Sequence, residues 1–285
     1  YSRKLRNCND SSSQWKIINN LTGGQSDKSI DKIELEDGSI ITDPNTIAEE
    51  INKYFVSVES DVNINQVNLI QSQHVNDSFF VHPTETNEII SIINSLKNKK
   101  SSGHDNFNTI LIKNISEYIS PVLSYIINLS FATGVFPDDL KMSIVVPILK
   151  KDKTLKLSNL RPISLLSVLS KIFEKCMKSR LLSYLNKIAV ISNNQFGFTK
   201  DKSTEYALLN VTNFIYSNFN NNNKVTGVFI DFKKAFDLVD HNILLSKMEA
   251  IGIRGLALDW FRSYLTGRCQ GVRVEGGLSQ HRIWP

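Results

Sequence analysis

Asp231 is the side chain whose position most needs a chemical explanation. It lies at the end of VTGVFIDF, a segment that begins at Val225 and is apolar, β-branched and typical of a buried strand. A carboxylate there is costly to bury unless a partner offsets its charge, and a divalent metal ion would do so. Asp is also a common N-cap of the helix that follows a strand. The local pattern leaves both interpretations open, metal ligand and helix cap.

A basic loop has the side chains that could hold phosphate groups. The segment KKDKTLK, residues 150–156, contains Lys150 and Lys151 and is followed by Arg161. Lysine supplies point charges, and arginine supplies a planar fork that matches two phosphate oxygens. A run of charges in a loop is also typical of a merely solvated surface. The loop is therefore a candidate phosphate site and no more than that.

A second polar segment, QFGFTKDKST at residues 195–204, combines aromatic, glycine and lysine residues. This composition suits stacking on nucleic-acid bases together with contacts to backbone phosphates. The aromatic side chains of Phe196 and Phe198 could equally anchor a hydrophobic core. The candidate nucleic-acid contacts in this segment are Gln195, Phe196, Gly197, Lys200 and Lys202.

The elements that would position these residues follow from hydrophobic periodicity. Apolar residues at helical spacing predict amphipathic helices, and Gly134 stands where one of them would be capped. Short β-branched runs predict strands, of which residues 225–232 would be the most buried. Helices are predicted from Pro44, around 89–96, from Ser116, and over 168–187, 203–219, 238–250 and 256–265; further strands are predicted at 142–149, from Leu160, and at 271–274.

Composition limits the classes of protein to consider. The 285 residues are 41% hydrophobic and 21% charged, which is ordinary for a globular protein that buries a core. No apolar run approaches the length of a membrane helix, and no leader peptide follows Tyr1. Three cysteines without CxxC spacing favour a reducing, intracellular compartment, either nucleus or cytoplasm. A net charge of +5 favours an anionic partner.

Across residues 85–275 the candidate segments stand in an order that resembles the reverse transcriptases of non-LTR, LINE-like retrotransposons. VFIDFKKAFDLVDH resembles the palm motif that holds the first catalytic aspartate of that family. GSIITDPNTIAEEINKYF, nearer the start of the chain, looks like the linker between endonuclease and polymerase. The other matching segments, in chain order, are KSSGHDNF, NLRPISLLSVLSKIFEKCMKSRL, QFGFTKDKSTEYALL and GIRGLALDWFRSYLTGR.

The resemblance implies a role for each candidate residue. Asp231 would bind metal, the backbone carbonyl of Phe232 would be a second contact, and Phe236 would be the gate against the sugar of the incoming nucleotide. The basic residues Lys150 or Lys151 and Arg161 would hold the triphosphate. The template track would consist of Gln195, Phe196, Gly197, Lys200 and Lys202. The implied cofactor is a pair of Mg²⁺ ions, and the implied partners are an RNA template, a DNA primer and deoxynucleoside triphosphates.

The implied fold is α+β, a right-hand polymerase with helix-rich fingers and an incomplete antiparallel palm sheet. Residues 1–83 would precede the polymerase, 84–222 would form the fingers and 223–285 part of the palm. In that family a Gly-Val-Pro-Gln-Gly-Ser-like loop and an Asp-Asp hairpin follow, and this sequence contains neither. The resemblance therefore implies an internal fragment, active in its complete parent and inactive alone. The family usually has Arg at the position of Thr199 and Gly at that of Asp201.

The sequence also allows two other functions. A decayed element could retain nucleic-acid binding through the basic loop and the QFGF segment while polymerisation is lost. An unrelated hydrolase or phosphotransferase could use Asp231 alone, but it would need a partner histidine or a phosphate-binding glycine loop. The sequence contains no GxxxxGK[ST] motif, and His104 and His241 lack zinc-like spacing.

Overall fold

The computed structural model describes residues 30–35, 37–57, 76–150, 155–232 and 235–283. The helices are α1 Pro44–Ser57, α2 Thr86–Ser95, α3 Thr109–Asn114, α4 Ser116–Thr133, α5 Val168–Lys187, α6 Thr204–Asn220, α7 His241–Ala250 and α8 Leu256–Leu265. The strands are β1 Ile33–Glu34, β2 Ile40–Ile41, β3 Met142–Leu149, β4 Leu160–Leu166, β5 Cys269–Val274, β6 Gly277–Leu278 and β7 Arg282–Ile283. The longer helices and strands fall close to the positions that periodicity predicts, except for the predicted strand at 225–232, whereas the short elements α3, β1, β2, β6 and β7 were not predicted.

The helix ends are set by local capping chemistry. Ser167 and Ser203 precede α5 and α6, and each side chain accepts a hydrogen bond from a backbone N–H of the first turn. Asp240 does the same for α7. Gly134 ends α4 with φ of 67°, a left-handed conformation that glycine adopts without steric cost. The predicted cap at Gly134 is confirmed.

A mixed α+β architecture results, with one larger sheet in the strand order β4-β3-β5-β6 and β7 paired to β5. Strand β5 pairs antiparallel with β6 and with β7, and β1 pairs antiparallel with β2. The predicted strands at 142–149, from Leu160 and at 271–274 are confirmed. Among the described residues, no helix is both long and apolar enough to cross a membrane.

The described chain separates into two compact units. The smaller unit comprises residues 30–54, 146–163 and 271–280. In it, the buried amide of Asn52 on α1 donates to Ser279 Oγ at 3.0 Å and to the carbonyl of Gln280 at 2.9 Å. The larger unit comprises the described residues of 55–145, 164–270 and 281–285 and contains most of the helices.

The core of the larger unit is built around aromatic rings. Trp260 on α8 stacks on Tyr264 with centroids 5.6 Å apart, and Phe136 meets Trp260 edge-on at 5.3 Å. The indole N–H of Trp260 donates to Ser130 Oγ at 2.9 Å, so the one polar atom of that ring is satisfied within the core. These contacts pack α8 against α4.

Arg180 joins three parts of the larger unit. Its guanidinium forms a two-pronged ion pair with Glu88 on α2, with distances of 2.8 and 2.9 Å. Its remaining N–H groups donate to the backbone carbonyls of His82, Pro83 and Cys176. The hydrogen bonds from Arg180 hold the pKa of Glu88 below its ordinary value. Helix α5 is thereby fastened to α2 and to the segment before it.

The segment KSSGHDNF is fitted against the start of α5. A Cβ added at Gly103 would lie 2.6 Å from the backbone nitrogen of Ser167, so this contact requires glycine. Ser167 Oγ donates to Asp105 Oδ2 at 2.5 Å while accepting from the N–H of Leu169. The loop after α2 and the first turn of α5 therefore form one continuous surface.

A buried carboxyl, Glu174, lies farther along α5. It accepts hydrogen bonds from the Tyr264 hydroxyl at 3.1 Å and from Ser170 Oγ at 3.3 Å. Burial raises the pKa of Glu174 above its ordinary value, because desolvation disfavours the charged form. Burial, with the neighbouring charge of Glu174, also raises the pKa of Tyr264 to about 12.

The prediction of a buried strand at residues 225–232 is wrong. The segment belongs to no strand or helix, and the side chain of Phe229 is 95% exposed. Among the described residues, no backbone hydrogen bond reaches it. A strand forms only where a neighbouring strand satisfies its N–H and C=O groups, and the apolar pattern of the segment cannot supply that neighbour.

Replacing Arg180 by lysine is expected to lower the free energy of unfolding by about 3 kcal/mol, because an ammonium cannot supply the two-pronged pair and Glu88 loses its main partner. Urea denaturation monitored by circular dichroism measures the loss. The matched control is Lys187→Gln on the same helix, which breaks an exposed ion pair with Asp77 and is expected to cost less than about 1 kcal/mol. Equal losses in the two variants would contradict this role for Arg180.

Glu174→Gln is expected to stabilise the protein increasingly as the pH rises above about 4.5, the ordinary pKa of glutamate. The folded state holds the Glu174 proton to a higher pH than the unfolded state does, so the unmodified protein loses stability with rising pH across that window. Glutamine has no such proton to lose. Melting temperatures of Glu174→Gln and of the unmodified protein, measured from pH 4 upward, should diverge; a constant difference between them would refute the argument.

Candidate functional site

The QFGF segment forms an exposed loop held by its own hydrogen bonds. The side-chain amide of Gln195 donates to the carbonyl of Gly197 at 2.9 Å, and the ammonium of Lys202 donates to the carbonyl of Asn193. The same ammonium lies 5.2 Å from the ring centroid of Phe196, a cation–π contact. Gln195, Phe196, Gly197 and Lys202 are thus brought together, and Lys200 is exposed on the same loop.

A groove of about 360 Å³ opens beside this loop. One wall carries Phe196 and Lys202, and the other is a face of α6. Its lining is aromatic, cationic and amide-bearing, the combination that accommodates a base together with a phosphate. The lining residues are Phe196, Asp201, Lys202, Tyr206, Leu209, Asn210 and Asn213.

The periodicity of α6 contains a signal for this groove that the sequence analysis missed. Tyr206, Asn210 and Asn213 are spaced four and three residues apart, so they share one side of a helix. Among the residues of α6, none is buried. An aromatic and two amides at helical spacing on one side of a predicted helix form a pattern that is visible in the sequence.

The segment after Asp231 meets the QFGF loop through one aromatic contact. The rings of Phe236 and Phe198 are perpendicular, with centroids 5.8 Å apart. Both side chains are largely exposed, at 77% and 90%. The predicted nucleotide gate and the predicted template loop are therefore adjacent, although the sequence analysis did not assign a role to Phe198.

Asp231 is exposed and does not cap a helix. The next helix, α7, begins ten residues later and is capped by Asp240, whose carboxylate accepts from the N–H of Ile243 at 2.8 Å. The helix-cap interpretation of Asp231 is therefore wrong. Among the described residues, no side chain donates a hydrogen bond to its carboxylate.

Asp231 and Phe232 offer oxygen atoms of the kind that Mg²⁺ binds, but fewer of them than the ion takes. A carboxylate from Asp231 and a backbone carbonyl from Phe232 are the hard oxygen donors that Mg²⁺ prefers, whereas the ion takes about six ligands. Among the described residues there is no cluster of three or more His, Cys, Asp or Glu side chains that could hold a metal. Further ligands would have to come from other protein groups, from substrate phosphates or from water.

The backbone of the QFGF loop explains one departure from the family pattern. Asp201 has φ of 61°, in the left-handed region where a side chain is sterically disfavoured and glycine is not. By the resemblance this position usually holds Gly, and the left-handed φ of Asp201 gives a physical reason for that preference. At Gly197, by contrast, an added Cβ would meet only the Gln195 amide at 3.8 Å, so the packing of the protein itself leaves that backbone open to a ligand.

The predicted triphosphate residues lie in the smaller unit. The backbone N–H of Lys150 donates to Asn159 at 2.8 Å and its ammonium donates to Ser158 at 2.6 Å, both to carbonyls. Arg161 is exposed on β4, and Lys151 lies outside the described residues. The ammonium of Lys150 is oriented by its hydrogen bond to the carbonyl of Ser158. Phosphate contacts by this ammonium stay a prediction.

Comparisons with known proteins bear on the identity of the chain. Residues 148–285 match the family described as reverse transcriptase (RNA-dependent DNA polymerase). Over 204 residues, 71% of this chain, it is 32% identical to the "Probable RNA-directed DNA polymerase from transposon BS" of Drosophila melanogaster, of which it covers 22%. Over 190 residues, 66% of this chain, it is 32% identical to the "RNA-directed DNA polymerase from mobile element jockey" of the same species, of which it covers 21%.

The chain thus spans about a fifth of the length of the curated relatives it matches. The matched region of the family includes Asp231, Phe236 and the whole QFGF loop. The same family is supported by the order of the motifs along the sequence, by the contact between Phe198 and Phe236, and by these matches. The chain belongs to the RNA-directed DNA polymerases, or reverse transcriptases, of non-LTR retrotransposons.

Proposed function

We propose that the chain contributes the template loop, the nucleotide gate and the first metal-binding carboxylate to a polymerase that copies RNA into DNA by two-metal nucleotidyl transfer. In this proposal residues 84–222 form the fingers and 223–285 the beginning of the palm of a right-hand polymerase. The substrates are an RNA template, a DNA primer and deoxynucleoside triphosphates. The chain by itself has little or no polymerase activity, because Asp231 is its one carboxylate in a matching motif.

The observation that carries the proposal is the contact between Phe198 and Phe236, with ring centroids 5.8 Å apart. It brings the loop that would hold a template base next to the residue that would test the sugar of the incoming nucleotide. A polymerase needs these two functions side by side, since the templating base selects the nucleotide that it pairs with. A protein unrelated to polymerases would have no need for a gate beside its stacking loop, whereas a decayed element would inherit the same contact, so primer extension is the measurement that separates the polymerase from a binding remnant.

Each residue would have a limited physical task. The rings of Phe196 and Phe198 would stack on template bases, and Lys202 and Lys200 would neutralise the template backbone. The side chain of Phe236 would exclude a 2′-hydroxyl by its volume. Lys150 or Lys151 and Arg161 would hold the triphosphate.

Asp231 and the Phe232 carbonyl would hold Mg²⁺, which when bound stabilises charge on the attacking and leaving oxygens. The protein mainly supplies position and charge, so the rate should depend steeply on the carboxylate.

Asp231→Asn is expected to reduce RNA-templated primer extension by at least about a hundredfold, because the amide retains the shape of the side chain but loses the charge that binds the metal. The assay uses the protein expressed from its complete open reading frame, with Mg²⁺ and a labelled primer. The matched control is Asp139→Asn, an exposed aspartate near β3, which should remain within about twofold of the parent. Full activity in Asp231→Asn would overturn the proposal.

Phe236→Val is expected to raise incorporation of ribonucleotides relative to deoxynucleotides by about tenfold or more, since removing the ring opens space where a 2′-hydroxyl would lie. Single-nucleotide extension with each triphosphate gives the ratio of kcat/KM values. Phe80→Val, which shortens an exposed phenylalanine elsewhere in the larger unit, should leave the ratio unchanged. An unchanged ratio in Phe236→Val would remove Phe236 from the gate.

A further inference from the structure

Six lysines of the larger unit, outside the groove and the Asp231 segment, lie on two segments that contact each other. Three follow α2 in the sequence KNKK, and three lie on α5. We call this set the lysine face, and its members are Lys97, Lys99, Lys100, Lys171, Lys175 and Lys178.

Independent contacts bring the two segments together. Lys175 Nζ on α5 lies 3.5 Å from Ser95 Oγ at the end of α2. Burial lowers the pKa of Lys171, and the positive charge of Lys99 is close enough to lower the pKa of Lys171 further. The contacts of Gly103 and Asp105 with Ser167 fix the same loop against the start of α5.

The lysines of α5 form a row. Lys171, Lys175 and Lys178 are four and three residues apart, so they project from one side of the helix over a length of about 10 Å. Lys175 and Lys178 are exposed, whereas Lys171 is half-buried and donates to the carbonyl of Leu166 at 3.0 Å. The row is therefore partly oriented before any ligand binds.

The lysine face has little opposing charge. Within the described part of the chain, no carboxylate lies within 4.0 Å of its ammonium groups, although Lys53, Lys141, Lys156, Arg180 and Lys187 all form such ion pairs. The two carboxyls whose charges raise the pKa of Lys171 are Glu174 and Asp105. Burial favours the neutral form of Glu174, and Asp105 is hydrogen-bonded by Ser167. Neither neutralises the whole surface.

Like charges held together without counter-ions repel, and an anion that binds among them relieves that repulsion. Lysines are point charges that contact phosphates without reading bases. The lysine face extends over two segments of the chain, so it suits a chain of phosphates better than a single small anion.

We infer that the lysine face binds the phosphodiester backbone of a nucleic acid, independently of sequence, as a second contact beyond the QFGF loop. The inference builds on the proposed function, because a polymerase must hold its template over more nucleotides than the one being copied. It requires neither metal nor catalysis. Its test can therefore fail or succeed separately from primer extension.

The test measures binding of a labelled single-stranded RNA of about 20 nucleotides by fluorescence anisotropy, in EDTA, between about 50 and 200 mM salt. The variant is Lys99→Gln with Lys175→Gln, and the matched control with the same charge change is Lys187→Gln with Lys247→Gln. Two lost phosphate contacts should reduce the slope of log Kobs against log salt by about 1.4 and weaken binding at 0.1 M salt by roughly 25-fold. The control should change affinity less than about threefold.

Equal effects in the two double variants would overturn the inference. Asp231→Asn should bind the RNA with the same affinity and the same dependence on salt as the unmodified protein. Loss of primer extension in that variant therefore does not bear on the lysine face. Repeating the titration with an RNA–DNA duplex identifies which backbone is held, since the larger difference between variant and control marks the preferred form.

A second measurement avoids substitutions and any change in folding. The unmodified 285-residue chain is acetylated at lysine with and without RNA, and the modified residues are quantified by mass spectrometry. Lys99 and Lys175 should be protected several-fold by RNA, while Lys187 and Lys247 should react equally in both samples. Equal reactivity of Lys99 and Lys175 with and without RNA would refute the binding surface.

Discussion

The guanidinium of Arg180 is the constraint on which the larger unit depends. Only 9% of its side chain is exposed, so its charge is tolerable only while Glu88 and the surrounding carbonyls are in place. Meeting that requirement fixes α5 against α2. The two ends of α5 are then determined as well: Ser167 receives the KSSGHDNF loop, and the hydroxyl of Tyr184 donates to the carbonyls of Asp77 and Ile251. One helix thus joins α2, the KSSGHDNF loop and the segment before α2 in the larger unit, and it carries half of the lysine face.

Stability and the candidate chemistry lie in different parts of the larger unit. The aromatic core around Trp260 is buried, whereas α6 has no buried residue and the Asp231 segment is exposed. Apolar side chains such as Phe229 and Ile230 gain nothing from this exposure, since hydrophobic stabilisation follows the area removed from water. The candidate site is therefore the part of the molecule whose own contacts hold it least, and substitutions there should affect function more than the free energy of unfolding.

Local signals in the sequence predicted most of the fold. Ser167, Ser203 and Gly134 mark helix ends because capping depends on one or two neighbouring residues, and the structure has the helices there. The strand at 225–232 could not be predicted in the same way. Its apolar pattern reports burial in a sheet, but pairing depends on a partner distant in sequence. The left-handed φ of Phe198, and with it the contact to Phe236, is likewise a tertiary result that composition does not contain.

For the candidate site, the residues alone left Asp231 with two interpretations, and the resemblance favoured one of them. The structure removed the other on physical grounds, because Asp240 caps the helix that follows and Asp231 caps none. The same reasoning connects Asp201 with the family pattern: a left-handed backbone favours glycine, so a position that usually holds Gly is one where the loop conformation matters more than the side chain. Asp201 adopts this left-handed conformation although it has a side chain, at a steric cost that glycine would not have, in the loop that also carries Phe196 and Lys202.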